Sequence, residues 1–222
     1  MIRRTVKPSG VRFRKSISKW SKKMKGFPVF IVGNAPSLND FDLSKLDGFF
    51  TIGINRSLYK IDSTILLWQD KDVYHYEKRI IDKSNALKVC RDVADPLGKF
   101  FHFKLKTGFY KRSKDPSVLY GRGSSGPLSV QFADALGCSS MYLLGMDCVV
   151  KNGDTDFYGK NIFWKKHTKK NCLTGLKWIE SSFSDKKIYN LSKRRDLDYN
   201  KIITKHKKYK KGRNFYIKKL LS

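Results

Sequence analysis

A chain of 222 residues with 40% hydrophobic and 14% aromatic content carries enough apolar material for one domain with a sizeable core, which excludes a disordered or fibrous class. Its 47 Lys and Arg against 19 Asp and Glu give a formal net charge of +28, which implies a polyanionic partner: nucleic acid, an anionic membrane surface or an acidic glycan. No run approaches the roughly 18 consecutive apolar residues of a membrane span, and no apolar stretch of a secretory signal follows the basic N-terminus.

The charge is concentrated at the two ends. Residues 1–26 hold ten Lys or Arg and no acid, and residues 193–222 hold twelve against Asp196 and Asp198. The chain therefore reads as a basic N-terminal arm (1–26), a moderately basic central domain (27–192) and a basic C-terminal tail (193–222). In the first arm Val11, Phe13, Ile17, Trp20 and Met24 recur at spacings of three, four and seven. That pattern predicts a basic amphipathic helix over 11–25, or a segment ordered only by its partner.

From Phe27 to Val32 the chain is apolar without polar alternation, as in a parallel strand covered on both faces. It stops at Gly33-Asn34-Ala35-Pro36-Ser37. Gly33 relieves steric limits on the turn, Asn34 offers an amide with donors and acceptors, and Ser37 is a candidate helix N-cap. Asp42 is a candidate cap for one short turn. Two further apolar runs, Phe49 to Ile54 and Ser63 to Trp68, end in Asn55-Arg56 and Gln69-Asp70. Polar clusters at successive strand ends point to a site, because ligands in open α/β sheets bind at the carboxyl ends of strands.

Further on, Tyr74 to Ile81 reads as helix, Val89 to Val93 as extended, and Phe100, Phe101 and Phe103 as a short aromatic strand. Residues 107–121 read as a loop. Ser124 and Ser125, followed by Pro127, open a helix through Leu128, Phe132 and Leu136 that closes at Gly137. A strand over Met141 to Leu144 ends in Gly145-Met146-Asp147. Residues 149–168 lack periodicity and read as a lid. Cys172 to Phe183 is an amphipathic helix, and Lys187 to Leu191 a last strand. The expected class is α/β: a Rossmann-like, mostly parallel sheet with helices on both faces.

The cysteines, Cys90, Cys138, Cys148 and Cys172, form no C-x-x-C pair. They are expected as reduced core thiols of a cytoplasmic protein, with a peripheral membrane position as the alternative. Asp154 and Asp156 lack the twelve-residue loop and terminal Glu of a calcium site, so no metal site is expected.

These landmarks, in this order, resemble the family 42 sialyltransferases and the wider group of bacterial and phage proteins that share their nucleotide-binding domain. The family's Gly-Asn-Gly-Pro-Ser-Leu is matched by Gly33 to Leu38, with Ala35 in place of a Gly. Its Asn after the second strand is matched by Asn55, its Thr-Ser-Gly by Ser124-Ser125-Gly126, its Gly-Ile-Asp by Gly145-Met146-Asp147, and its His-Ser-Lys by His167-Thr168-Lys169. The resemblance implies that Gly33, Asn34 and Ser37 hold a nucleotide phosphate, that Asn55, Ser125, Gly145 and Asp147 contact phosphate, ribose or base, and that His167 is the general base. It also implies a CMP-activated sugar as co-substrate, inversion at the anomeric centre, and no metal or other cofactor. A tyrosine that the family places shortly after Gly-Ile-Asp is Val149 here. A second family tyrosine corresponds to Phe157 or Tyr158, and Arg56 and Arg122 are candidates for neutralising phosphate in place of the missing one.

The resulting expectation is a metal-independent, inverting glycosyltransferase acting on a hydroxyl of a polyanionic acceptor, with nucleic acid such as modified phage DNA slightly favoured. Three alternatives stay open: a sialyltransferase for a lipid-linked surface glycan, an ATP-dependent enzyme like the pterin diphosphokinase of the wider group, and a non-catalytic nucleic-acid-binding accessory protein. Oligomeric state is not legible.

Overall fold

The computed structural model describes residues 15–95, 98–161, 167–194 and 196–222. Nine strands are present among them: β1 (Lys15–Ser16), β2 (Pro28–Val32), β3 (Thr51–Ile54), β4 (Ile65–Trp68), β5 (Leu87–Arg91), β6 (Phe101–Thr107), β7 (Val118–Gly121), β8 (Ser140–Leu144) and β9 (Lys187–Asn190). Five α-helices accompany them: α1 (Lys71–Lys83), α2 (Ser125–Ala135), α3 (Thr168–Ser182), α4 (Tyr199–Lys205) and α5 (Arg213–Leu221).

The strands form one sheet in the order β1-β6-β5-β4-β3-β2-β8-β9, with β7 also on β6. Every pairing between named strands is parallel. β1 meets Phe101 and His102, whereas β7 meets Lys104 to Thr107, so the two lie end to end along one edge of β6. The α/β expectation holds. β2, β3, β4 and β8 are buried at every position, which is why their sequences run apolar without alternation.

The chain moves outward from β2 through β3, β4, β5 and β6, then returns through α2 to place β8 on the other side of β2. The strand order therefore reverses between β2 and β8, and their carboxyl ends flank a topological switch point. α2 is the central helix: nine of its eleven residues are buried. Gly137, at φ +89°, ends it in a Schellman arrangement, with Gly137 N–H donating to Asp134 O at 2.8 Å and Cys138 N–H to Ala133 O at 3.1 Å. α3 lies directly on α2, since a Cβ on Gly175 would stand 2.4 Å from Pro127 Cγ.

Several expectations are corrected. Residues 107–121 are not all loop. β7 is only half buried and lacks the uniform apolar run of the central strands, and Gln131, buried in α2, completes its edge by accepting from Tyr120 N–H at 3.2 Å and donating to Tyr120 O. The expected helix over 11–25 is absent from its described part: residues 15–16 are strand and Ser18–Trp20 a short 3-10 turn, while 11–14 lie outside the described residues. Its apolar positions are nonetheless core, with Ile17, Trp20 and Met24 fully buried and Trp20 against the Phe101 ring at 4.7 Å.

The C-terminal segment is equally part of the domain. Tyr216 and Leu220 of α5 are fully buried, with Tyr216 against Phe27 and Phe50. Asp198 caps α4 by accepting from Asn200 and Lys201 N–H. Among the described residues, Lys19, Lys22 and Lys25 at one end and Lys201, Lys207, Lys208, Lys210 and Lys211 at the other are exposed on segments whose apolar residues fill the core.

The cysteines also differ from expectation. Cys148 and Cys172 are joined as a disulfide across 24 positions, while Cys90 and Cys138 are free and buried. Among the described residues no helix is long and apolar enough to cross a membrane.

Candidate functional site

The switch point carries a cavity of about 460 Å³, a size suited to a nucleotide-scale ligand. The loop after β2 forms one wall. Gly33 N–H donates to Leu144 O at 2.8 Å and Ala35 N–H to Gly145 O at 2.9 Å, so the loops leaving β2 and β8 are laced together. The contact has no room for a side chain at Gly33: a Cβ would stand 2.3 Å from Gly145 O. Asn34 O accepts from Phe157 N–H at 2.7 Å, tying this wall to the segment after β8. Its side-chain oxygen Oδ1 is buried without a hydrogen-bond partner, an arrangement expected of a group whose partner is a ligand.

A second wall comes from β3 and α2. Asn55 stands at φ +50°, a left-handed conformation that Asn tolerates better than most residues. Its Oδ1 accepts from Ser125 Oγ at 3.4 Å. Ser124, Ser125 and Gly126 present the N-terminal turn of α2 to the cavity. Ser124 occupies the N-cap position without a side-chain capping bond, so the expected serine cap is not made, and this turn's amides and positive dipole end suit an anion.

Arg56 is held at the cavity rim by a hydrogen-bonded network around buried Glu77 that the sequence did not reveal. Its Nε donates to Glu77 of α1, which also accepts from the Tyr59 hydroxyl, and its Nη1 donates to Tyr158 Oη at 3.2 Å. Burial works against the Arg56 charge, but the Tyr158 and Glu77 contacts outweigh it and raise its pKa. Burial pushes the Tyr158 phenol up, against the opposing contact with Arg56. Asp156, buried beside them, is also pushed up by desolvation, although Thr155 and Asn161 partly offset the shift.

His167 lines the same cavity from the residue before α3, with its side chain exposed. Cys148 and Cys172 also line it, and their disulfide ties the turn after β8 to the second turn of α3. Of the expected lid, residues 151–161 form two small β-bridged turns that contribute Thr155, Asp156, Tyr158 and Asn161; residues 162–166 lie outside the described residues.

Most of the expected residues therefore converge: Gly33, Asn34, Ala35, Asn55, Arg56, Ser124, Ser125, Gly126, Gly145, Met146, Tyr158 and His167 all line one cavity. Ser37 and Asp147 are not among the lining residues. Ser37 is not the helix N-cap, which falls at Ala35; it sits inside a 3-10 turn, where its Oγ donates to Asp147 Oδ1 at 2.9 Å. The pair braces the two loops from behind. Gln69 and Asp70, the third polar strand end, also line the cavity, as does Asp72, although no binding role had been expected for any of the three.

Fold and cavity together define an α/β protein with a candidate small-molecule site at the topological switch point of a parallel sheet. Among solved structures the chain is similar to the sialyltransferase CstII from Campylobacter jejuni in complex with the substrate analogue cytidine-5′-monophosphate, with a TM-score of 0.48 and 19% identity, covering 75% of this chain and 80% of that chain. It is also similar to the sialyltransferase CST-II in complex with a trisaccharide acceptor and CMP, with a TM-score of 0.46 and 18% identity, covering 74% of this chain and 81% of that chain. No family model matches the chain, and no curated protein sequence matches it. Similarity at this level does not establish membership of a family.

Proposed function

We propose that the chain is an inverting glycosyltransferase that transfers a sugar from a nucleotide-activated donor, with a CMP-sugar the leading candidate, to a hydroxyl of a polyanionic acceptor. The observation that carries this reading is the convergence of five separated sequence motifs on one cavity, with the buried Asn34 Oδ1 lacking a partner inside the protein. Those motifs are the ones whose order resembles the family 42 sialyltransferases.

In this reading His167 accepts the proton of the attacking acceptor hydroxyl. The new bond to the anomeric carbon forms as the bond from that carbon to the departing phosphate oxygen breaks on the opposite face. Negative charge growing on the phosphate is met by Arg56, by the Tyr158 hydroxyl and by the N-terminal turn of α2. These fixed positive and donor groups occupy the role for which other transferases recruit a divalent ion, so the proposed reaction proceeds without one.

The acceptor is proposed to be polyanionic because the exposed surface is strongly basic. Exposed Lys207, Lys208, Lys210 and Lys211, for example, follow α4. Nucleic acid is favoured over a lipid-linked glycan on charge alone.

The test is a thermal-shift and donor-hydrolysis screen over CMP, UDP, GDP and ATP compounds, with and without EDTA. CMP compounds are expected to stabilise the protein irrespective of EDTA, and His167→Ala is expected to lower transfer by about 10²–10⁴-fold while donor stabilisation persists. Selective, magnesium-dependent use of ATP that survives His167→Ala would instead support a diphosphokinase. Replacing Lys207, Lys208, Lys210 and Lys211 with Glu is expected to weaken acceptor use and flatten its salt dependence without altering donor binding.

A further inference from the structure

We infer that Cys90, Asp95 and His102 form a binding site for a divalent transition-metal ion of the zinc type, separate from the cavity at the switch point. A sulfur, a carboxylate oxygen and an imidazole nitrogen of these residues all lie within 4.8 Å of one another. The fold brings them together: Cys90 and His102 are direct partners across β5 and β6, so their side chains leave the same face of the sheet. Asp95 follows the 3-10 turn Asp92–Ala94 that leaves β5.

The cluster is deeply buried, with side-chain exposures of 1% for Asp95 and 6% for His102, and Cys90 fully enclosed. Cys90 packs in an apolar cluster with Leu66, Trp68, Ala94 and Phe100. In such surroundings every polar atom needs a partner, yet Asp95 Oδ1 and His102 Nδ1 have none. Asp95 Oδ2 accepts from Phe100 N–H at 2.8 Å and meets His102 Nε2 at 2.9 Å. No Lys or Arg forms an ion pair with Asp95 among the described residues.

The donor set selects the kind of ion. One thiolate, one imidazole and one carboxylate match zinc and its neighbours, whereas calcium and magnesium require oxygen ligands. A dipositive ion with one thiolate, one carboxylate and a neutral imidazole has no net charge, which suits a buried position. Binding forms a bond from the metal to the Cys90 sulfur and releases the thiol proton to solvent; three protein donors leave the fourth tetrahedral position to water. The ion would clamp β5, the turn after it and β6, the stretch of sheet next to β4.

The experiment uses the full chain under non-reducing conditions. Protein purified from zinc-supplemented medium is expected to contain about one zinc per chain by elemental mass spectrometry. After chelator treatment, cobalt titration is expected to produce the near-ultraviolet band of sulfur-to-cobalt charge transfer. That band is expected to persist in Cys138→Ser and in the Cys148→Ser/Cys172→Ser double variant, and to vanish in Cys90→Ser; zinc is expected to raise the melting temperature of the parent chain but not of Cys90→Ser. Should Cys90→Ser fail to fold, the parent chain and the other variants still decide. Absence of bound zinc after dialysis against it, absence of the cobalt band, or its loss with Cys138 or with Cys148 and Cys172 would overturn the inference.

Discussion

At the scale of single residues, the nucleotide-sized cavity depends on positions where one atom more or less changes the outcome. Gly33 is the sharpest. Its missing side chain lets the β2 loop press against Gly145, and the Cβ of an alanine would stand 2.3 Å from Gly145 O and 2.7 Å from Met146 Cγ. The first of these atoms is backbone and cannot rotate away, so Gly33→Ala is expected to destabilise the fold by about 1–3 kcal/mol and to abolish stabilisation by nucleotide, as thermal shifts would register. Ala35, the departure from the family's glycine, is accommodated: it is buried, with its N–H bonded to Gly145 O at 2.9 Å.

A second residue-level consequence concerns His206, whose Nε2 lies 2.7 Å from the Tyr142 hydroxyl. Burial, followed by Lys205 and Lys208, lowers its pKa below the ordinary value. The folded state therefore holds the imidazole neutral at pH values where the unfolded chain, with a pKa of about 6.5, binds a proton. Stability is complete above that value and is expected to fall as pH drops from about 6.5 through the lower folded pKa. Chemical denaturation across that range checks this, and His206→Gln is expected to remove this part of the pH slope.

At the scale of elements, the segment between β8 and α3 contributes Thr155, Asp156, Tyr158, Asn161 and His167 to the cavity and is closed by the Cys148–Cys172 disulfide. Cross-linking positions 24 apart restricts the unfolded chain by roughly 3 kcal/mol on the loop-entropy account. The bond also fixes the turn after β8 against the helix that begins after His167. Cys148→Ser/Cys172→Ser, or treatment with dithiothreitol, is therefore expected to lower the melting temperature and weaken donor binding. A melting curve indifferent to reductant would show that the cross-link holds nothing.

Element assignments from the sequence succeeded where burial is uniform and strained where it is not. β2, β4 and β8 are covered on both faces, so their apolar runs were unmistakable, and α2 announced itself through Pro127 and Gly137. β7 is only half buried and ends at a glycine, which made it resemble the loop around it. In the N-terminal segment, spacings of three and four among Ile17, Trp20 and Met24 marked the buried face correctly but implied the wrong backbone. A tight turn between β1 and β2 buries the same residues as a helix would.

At the scale of the whole molecule, charge and core proved to be interleaved. The basic ends looked detachable because basic residues far outnumber acidic ones there, yet Trp20, Met24, Tyr216 and Leu220 complete the interior. Tyr216→Ala is expected to cost about 3–5 kcal/mol, measurable by urea denaturation, whereas substitutions at exposed Lys208 or Lys211 are expected to be nearly neutral for stability. Dependence on a polyanionic partner must therefore be probed by altering surface charge, since deleting the ends would remove core.

The sequence by itself determined the parallel α/β class, the positions of the main strands and the polar clusters at their ends, whereas Ser124, Ser125 and His167 were singled out by resemblance to the family 42 motifs. Those properties are local: uniform apolar runs mark buried strands, and polar motifs mark where such strands stop. Tertiary structure alone decided that Ser37 answers Asp147, that Glu77 holds Arg56, that Cys148 meets Cys172, and that Cys90, Asp95 and His102 share one buried spot. Each of these depends on which strands become neighbours, and pairing across a sheet joins residues that no spacing along the chain connects.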